Sequence, residues 1–368
     1  MSSKDLMSSK ANPVPTLKPD FSRRPLRAAV VGVGRMGRHH ARVYAQLPDT
    51  QLIGVVDANP ERAEALAEQY RCKAFYSIQS LLEEGVDVCS VAVPTTAHLA
   101  MAKPLLDAGI ACLIEKPLAG DVNDAQQIKA AAEASGAVLM VGHIERFNPI
   151  MRAFRREQER GQPIVPRFME ISRVSPMTFR SVDTSVVMDM MIHDLDVVLM
   201  LMGGREPDEV YASGVPVITE YEDICNARLV FRHPGGICTA NITSSRLALK
   251  TERVTRITGE NAYVKIDYGA KTGTMIRRMG NQAQMVEVRD LIRQGADLTH
   301  LNWAELVKIE ELQVDEGEPI VAEIQAFLDA VKAGTQPEVD ATAGLANVRT
   351  AERIIAAARA ERGGVNQV

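Results

Sequence analysis

The sequence predicts an α/β protein: a doubly wound parallel sheet first, then an α/β unit with an open, largely antiparallel sheet. Three observations carry that reading. Between about residues 27 and 146, short apolar runs alternate strictly with helix-periodic segments, the pattern of a parallel sheet with helices on both faces. Further on, strand-like runs follow one another, separated by turn residues such as "HPGG" and "TGEN" rather than by helices, which suits an antiparallel or mixed sheet. And 368 residues suffice for about two domains with a sizeable core.

Taken in order, "LRAAVVGVG" (26–34) is a continuous apolar run, as a fully buried strand requires. "RMGRHHARVYAQLP" follows with helical spacing, and "TQLIGVVDA" is a second buried strand. "NPERAEALAEQY" opens with an Asn cap and a proline at the first helical position. "AFYS" is a short strand, "IQSLLEEG" a short helix and "VDVCSVAVP" another buried strand. "HLAMAKPLLDAG" is a helix stopped by Gly109. "IACLIEKP" is a strand, "DVNDAQQIKAAAEASG" a capped helix and "AVLMVGH" a strand. Beyond this unit, "RFNPIMRAFRREQERG" reads as helix, "VPRFMEISRVSP" as strand and "VVMDMMIHDLDVV" as an apolar helix that ends at "GG" (203–204). "DEVYASGVPVI", "DICNARLVFR", "GICTANITSSRLA", "RVTRITGENAYVKIDY" and "TMIRRM" are strands. "EPIVAEIQAFLDAVKAG" and "TAGLANVRTAERIIAAARAE" close the chain as helices. Residues 280–318 show no clear period and are expected as an irregular strand–loop excursion, a candidate subunit contact. The expected division is a flexible tail (1–26), a nucleotide-binding unit (27–146), a substrate and oligomerisation unit (147–320) and C-terminal helices packing back on the core (321–368).

Bulk properties exclude several classes. The net charge of −5 offers no basic face for nucleic acid. No apolar run reaches eighteen residues, so no membrane insertion is expected, and the first 25 residues lack the apolar core of a signal peptide. Five cysteines, none in a C-x-x-C pair, read as reduced core residues of a cytoplasmic protein. No metal site is expected: His39 and His40 are adjacent, and adjacent side chains diverge on a helix.

The turn "GVGRMG" places Gly32, Gly34 and Gly37 in a G-x-G-x-x-G pattern between a strand and a helix, the context that gives the motif meaning. Gly32 allows the tight turn, Gly34 lets the backbone approach a pyrophosphate, and Gly37 lets helix and strand pack closely. Arg35 and Met36 complete the loop at a helix N-terminus that offers free N–H groups to phosphate. Asp57 ends the second strand twenty residues past Gly37, where an acid binds the ribose hydroxyls and repels a 2′-phosphate. NAD is therefore expected over NADP, with Arg62 nearby to soften the preference.

Within the apolar helix, Asp189, His193 and Asp196 fall at i, i+4 and i+7, on one helical face. Ionisable groups are costly in an apolar helix, so this face points either to solvent or into a site that uses an acid and an imidazole. Asp194 reads as solvated, and Asp196 as a supporting group on the polar face. Glu115 and Lys116 of "IEKP" end a buried strand, at the edge where open α/β sheets gather their ligands.

With "GVGRMG", "VPTTAH", "EKP", the Asp-x-x-x-His helix and "EPIVAEIQAFLDAVKAG" in this order, the chain resembles the glucose–fructose oxidoreductase / inositol dehydrogenase (Gfo/Idh/MocA) family over nearly its whole length. The resemblance implies a Rossmann domain, an open-faced α/β domain, and hydride transfer between a sugar-like secondary alcohol and a nicotinamide cofactor. It implies a catalytic group of Lys116, Asp189 and His193, and a cofactor site that adds Pro94, Thr95, His98, Glu115 and Lys116 to the glycine loop. His193 suits a general base at neutral pH. Lys116 can polarise the reacting oxygen, and is itself a rival base if burial lowers its pKa.

"VGHIERFNP" and "DMMIHDLD" resemble the subgroup acting on UDP-N-acetylglucosamine, which oxidises the 3-hydroxyl to a ketone; amination of that ketone gives the diamino sugar of some lipid A molecules. This implies a UDP-sugar substrate, a functional link to a sugar aminotransferase, and a substrate site of Lys116, Asp189 and His193 with Asn148 and the cations Arg146, Arg173, Arg180 and Arg246. The alternatives are a dehydrogenase of a free polyol such as an inositol, and a nicotinamide-binding regulatory protein without turnover. In this family a partner subunit usually buries the open sheet, so a homodimer or a dimer of dimers is expected.

Overall fold

The computed structural model describes residues 24–160, 163–179, 182–297 and 303–365. The expected tail therefore lies, up to residue 23, outside the described residues.

Six strands form the first sheet: β1 (Leu26–Val31), β2 (Thr50–Val56), β3 (Lys73–Phe75), β4 (Val88–Val91), β5 (Ala111–Glu115) and β6 (Leu139–Gly142). All pair in parallel, in the order β3-β2-β1-β4-β5-β6. That is the doubly wound order, which turns back between β1 and β4 and opens a crevice there. The helices between them are α1 (Arg35–Gln46), α2 (Pro60–Tyr70), α3 (Ile78–Glu84), α4 (His98–Asp107) and α5 (Val122–Ser135). Asn59, Ser77 and Asp121 cap α2, α3 and α5 by accepting a backbone N–H three residues on, as their side chains suit them to do.

After β6 a 3₁₀ turn (Ile144–Phe147) leads into α6 (Pro149–Arg160). The second sheet has eight strands: β7 (Pro166–Val174), β8 (Glu209–Val215), β9 (Ile224–His233), β10 (Gly236–Ser245), β11 (Glu252–Gly259), β12 (Ala262–Asp267), β13 (Thr272–Arg278) and β14 (Val307–Glu311). Their order is β14-β13-β12-β11-β7-β10-β9-β8, and β7–β10 is the single parallel pair. One face is buried: Met169 and Ile171 of β7, Thr255 and Ile257 of β11, Ala240 and Ile242 of β10. Against it packs α7 (Ile192–Leu201), which continues from a π-helical turn (Val187–Met191).

The opposite, uncovered face carries Arg228, Asn241, Glu170, Arg256 and Lys265 side by side across five strands. Tyr211, Val215, Ile237 and Ile309 supply its exposed apolar side chains. The face is more polar than an orphaned core.

Residues 280–318 are more regular than expected. They hold α8 (Gln282–Arg293), α9 (Trp303–Leu306) and β14. Asn281 and Gln284 form a reciprocal capping box on α8, a start signal visible in "NQAQ". Among the described side chains of α8 none is buried, so the apolar stripe that betrays most helices is missing.

The last two helices join the units. α10 (Pro319–Ala333) lies beside α1 on one face of the first sheet, and α11 (Ala341–Val365) packs on α5 and also on α7 and β8. Between them the chain adds to the β6 edge, where Val141 N donates to Val339 O.

Candidate active site

The glycine loop has the geometry its motif implies. Gly32 has φ +86°, and a Cβ there would stand 2.7 Å from the Ala92 carbonyl oxygen. At Gly37 a Cβ would overlap the Gly32 carbonyl at 1.7 Å. Around Gly34, the N-cap of α1, a Cβ would meet nothing within 4 Å. Tight turn, close packing and open approach to a helix N-terminus make a pyrophosphate cradle, so the residues present fit a dinucleotide. The Asp57 carboxylate accepts from Val33 N (2.8 Å) and Asn59 N (2.9 Å), which fixes it beneath the loop with lone pairs left for ribose hydroxyls.

The next loop, after β4, starts Pro94–Thr95 and enters α4 at His98. His98 is buried; its Nδ1 lies 3.0 Å from Pro117 O and its Nε2 3.1 Å from Val93 O. The ring ties this loop to the turn after β5, where the Lys116–Pro117 peptide is cis.

Glu115 is held between His40 Nε2 (2.9 Å) and Lys116 N (3.3 Å). Burial pushes its carboxyl up, but the His40 hydrogen bond and the charges of His40 and Lys116 outweigh burial and leave the group below its ordinary value. Lys116 then reaches across the interdomain crevice and donates to the backbone carbonyl of Asp189 at 2.7 Å, with the Asp189 Oδ1 at 3.6 Å. Asp189 lies inside the π-helical turn. Such one-turn widenings of a helix recur at functional sites.

Lys116, Asp189 and His193 all line one cavity of about 630 Å³, with Arg35, Met36 and Glu115 on its first-sheet side. That volume falls in the usual range for small-molecule sites. His193 Nδ1 is buried with no hydrogen-bond partner among the described residues. Burial first, then the charges of Lys116 and Arg173, push His193 well below its usual 6.5. Burial also lowers Lys116, while Asp189 and Glu115 pull it back up. The site thus presents a neutral imidazole and a cation in one wall, which is what removing a proton from an alcohol requires.

The other expected site residues separate. Asp196 does not share the cavity: one turn beyond His193 it is buried and takes a two-pronged ion pair from Arg146, at 2.7 and 2.6 Å. Arg146 also donates to Glu338 O, so both groups are structural partners in the interior. Asp194 is buried, not solvated; it receives two hydrogen bonds from Arg173, whose third nitrogen reaches Glu145 at 3.0 Å. Arg173 lines the cavity with its guanidinium already paired, and these two carboxylates hold it charged against the cost of burial. Asn148 is buried on Glu145. Arg246 lines the cavity while donating to Thr184 O and facing Asp223 at 3.7 Å. Arg180 lies outside the described residues.

Sequence reasoning missed Arg253, which also lines the cavity. Its signal was strand alternation: residues 253, 255 and 257 share the face of β11 that Thr255 and Ile257 bury, so an arginine at 253 stands at the exposed end of the site's face.

The chain matches two family models: "Oxidoreductase family, NAD-binding Rossmann fold" over residues 26–143, and "Oxidoreductase family, C-terminal alpha/beta domain" over residues 179–366. This chain belongs to the Gfo/Idh/MocA oxidoreductase family. Its cofactor is NAD, and it is a dehydrogenase acting on a CH–OH group. It is 35% identical to the UDP-N-acetylglucosamine 3-dehydrogenase of Acidithiobacillus ferrooxidans, over 90% of this chain and 95% of that one. A solved structure of that enzyme superposes with a TM-score of 0.78 at 33% identity, covering 91% of this chain and 98% of the other. A myo-inositol dehydrogenase of Streptomyces leeuwenhoekii is 33% identical, but over 51% of this chain and 59% of that relative.

Proposed function

We propose that this oxidoreductase converts the 3-hydroxyl of UDP-N-acetylglucosamine to a ketone. One observation carries the reading: the similarity to a UDP-N-acetylglucosamine 3-dehydrogenase spans 90% of this chain and 95% of that one, substrate unit included, whereas the inositol dehydrogenase matches over about half. The side chains support turnover over a purely regulatory role, because a sensor has no need of a neutral, half-buried imidazole beside a lysine.

NAD, when bound, would supply the acceptor for the hydride that leaves C3. Its pyrophosphate falls to the Gly32–Gly37 loop and its ribose to Asp57. His193, neutral at working pH, takes the hydroxyl proton. Lys116 donates a hydrogen bond to the same oxygen and stabilises the negative charge that develops there. Asp189 holds Lys116 in place through its carbonyl oxygen. His193 is the better base of the two, since Lys116 retains two carboxylates that favour its charged form.

The 3-keto product suits a sugar aminotransferase, and through it a diamino sugar of lipid A. We place the enzyme in the cytoplasm with its nucleotide substrates; among the described residues no helix is long and apolar enough to cross a membrane. We assign the open sheet face to a homodimer or a dimer of dimers.

The test is NADH formation from NAD and UDP-N-acetylglucosamine, with a glutamate-dependent sugar aminotransferase present to draw off the ketone. Turnover that His193→Ala abolishes is expected. Turnover of inositols with none of the nucleotide sugar would replace this reading with the polyol one.

A further inference from the structure

The cavity holds more positive charge than its own carboxylates use. Arg173 is spent on Asp194 and Glu145, Arg246 on Thr184 and Asp223, and Lys116 on Asp189. Arg35 stands on the glycine loop, on the cofactor side. Arg253 remains. It stands near the start of β11, exposed, and among the described residues its side chain makes no hydrogen bond or ion pair.

Its position sets a second cation beside Arg173, screened by water and so of little cost to the fold. The β11–β7 register sets Arg253 directly opposite Arg173, and like charges facing across a strand pair repel. Asp194 and Glu145 give their hydrogen bonds to Arg173, which leaves the donors of Arg253 for a ligand. An anion between Arg253 and the catalytic wall relieves that repulsion. Arg253 stands on a strand of the second sheet, whereas the loop that takes the cofactor's own phosphates belongs to the first. A guanidinium fork matches phosphate oxygens, and a free polyol gives it nothing to bind.

We propose that Arg253 anchors the substrate's diphosphate and so selects a nucleotide sugar over a free sugar. This rests on the nucleotide-sugar reading above. Arg253 acts in binding, remote from the reacting C3, so its loss weakens the ground state and transition state alike.

The experiment is calorimetric titration of the full chain with UDP, with NADH titration and thermal unfolding as controls. Wild type is expected to bind UDP, and Arg253→Ala to bind it about 10- to 100-fold more weakly, the loss of a charge-assisted phosphate contact. NADH affinity and the melting temperature stay unchanged, and Arg253→Lys recovers part of the loss. In turnover the alanine variant raises KM for the UDP-sugar by the same factor with kcat little altered. If wild type and Arg253→Ala bind UDP equally, the anchor is wrong and the nucleotide-sugar reading stands. If wild type itself does not bind UDP, both fall.

Discussion

His193 is a half-buried ring in a cationic wall, and its replacement should read out in kcat rather than in binding. Loss of a general base costs about 10²- to 10⁴-fold, so His193→Ala is expected to lower kcat by that factor while NADH still binds in a fluorescence titration. Because burial and neighbouring cations hold the imidazole well below 6.5, the acid limb of kcat/KM should fall below that pH, and burial of Lys116 should bring the alkaline limb below 10.5. An acid limb at or above 6.5 would count against His193 as the base. Arg146 gives the contrasting case. Arg146→Met strands the buried Asp196 carboxylate, so it should destabilise the fold by about 3–5 kcal/mol in urea denaturation and leave KM for substrate alone. Here sequence reading reached its limit. Lys116, Asp189 and His193 were legible because motif and spacing select them; the arginines were not, since an arginine in a buried ion pair and one in a ligand site look identical in one dimension. Their partners Asp194, Asp196 and Glu145 come from segments that only the fold brings together.

At the scale of elements, the first sheet was legible strand by strand, because fully buried parallel strands are written as unbroken apolar runs bounded by caps and glycines. The π-helical turn was not: one extra residue per turn leaves no mark in apolar spacing, yet it sits where Lys116 meets Asp189. α10 carries a different surprise on its buried side. Glu323 is fully buried there, and both of its oxygens lack a partner among the described residues. Burial first, then the charges of Glu115 and Asp196, push it well above its ordinary 4.5. The folded chain therefore keeps a proton that the unfolded chain releases as pH rises past 4.5, and the wild type loses stability through that window by up to about 1.4 kcal/mol per pH unit. Glu323→Gln has no proton to lose. Its stability relative to wild type should climb as pH increases, measured as urea midpoints at stepped pH; a difference independent of pH would mean the acid is already ionised.

For the whole molecule, the eight-stranded sheet leaves one face uncovered, and that face mixes Arg228, Glu170, Arg256 and Lys265 with apolar rims. Such a surface tolerates water and also offers paired charges to a second copy, so the assembly we propose should be sensitive to salt. Light scattering at micromolar protein should give a dimer or tetramer mass at low ionic strength; a monomer at every salt concentration would refute it. The two sheets are also less separable than their order in the chain suggests. α10 comes from the far end of the sequence and completes a helical layer of the first sheet, where Ile324, Phe327 and Leu328 are buried. During synthesis, the cofactor-binding half thus emerges first and waits. Its strands are made by residue 142, but the helix that seals one side ends at residue 333. A nascent chain stalled short of that point presents a bare apolar stripe. Until then it is a natural client for chaperones.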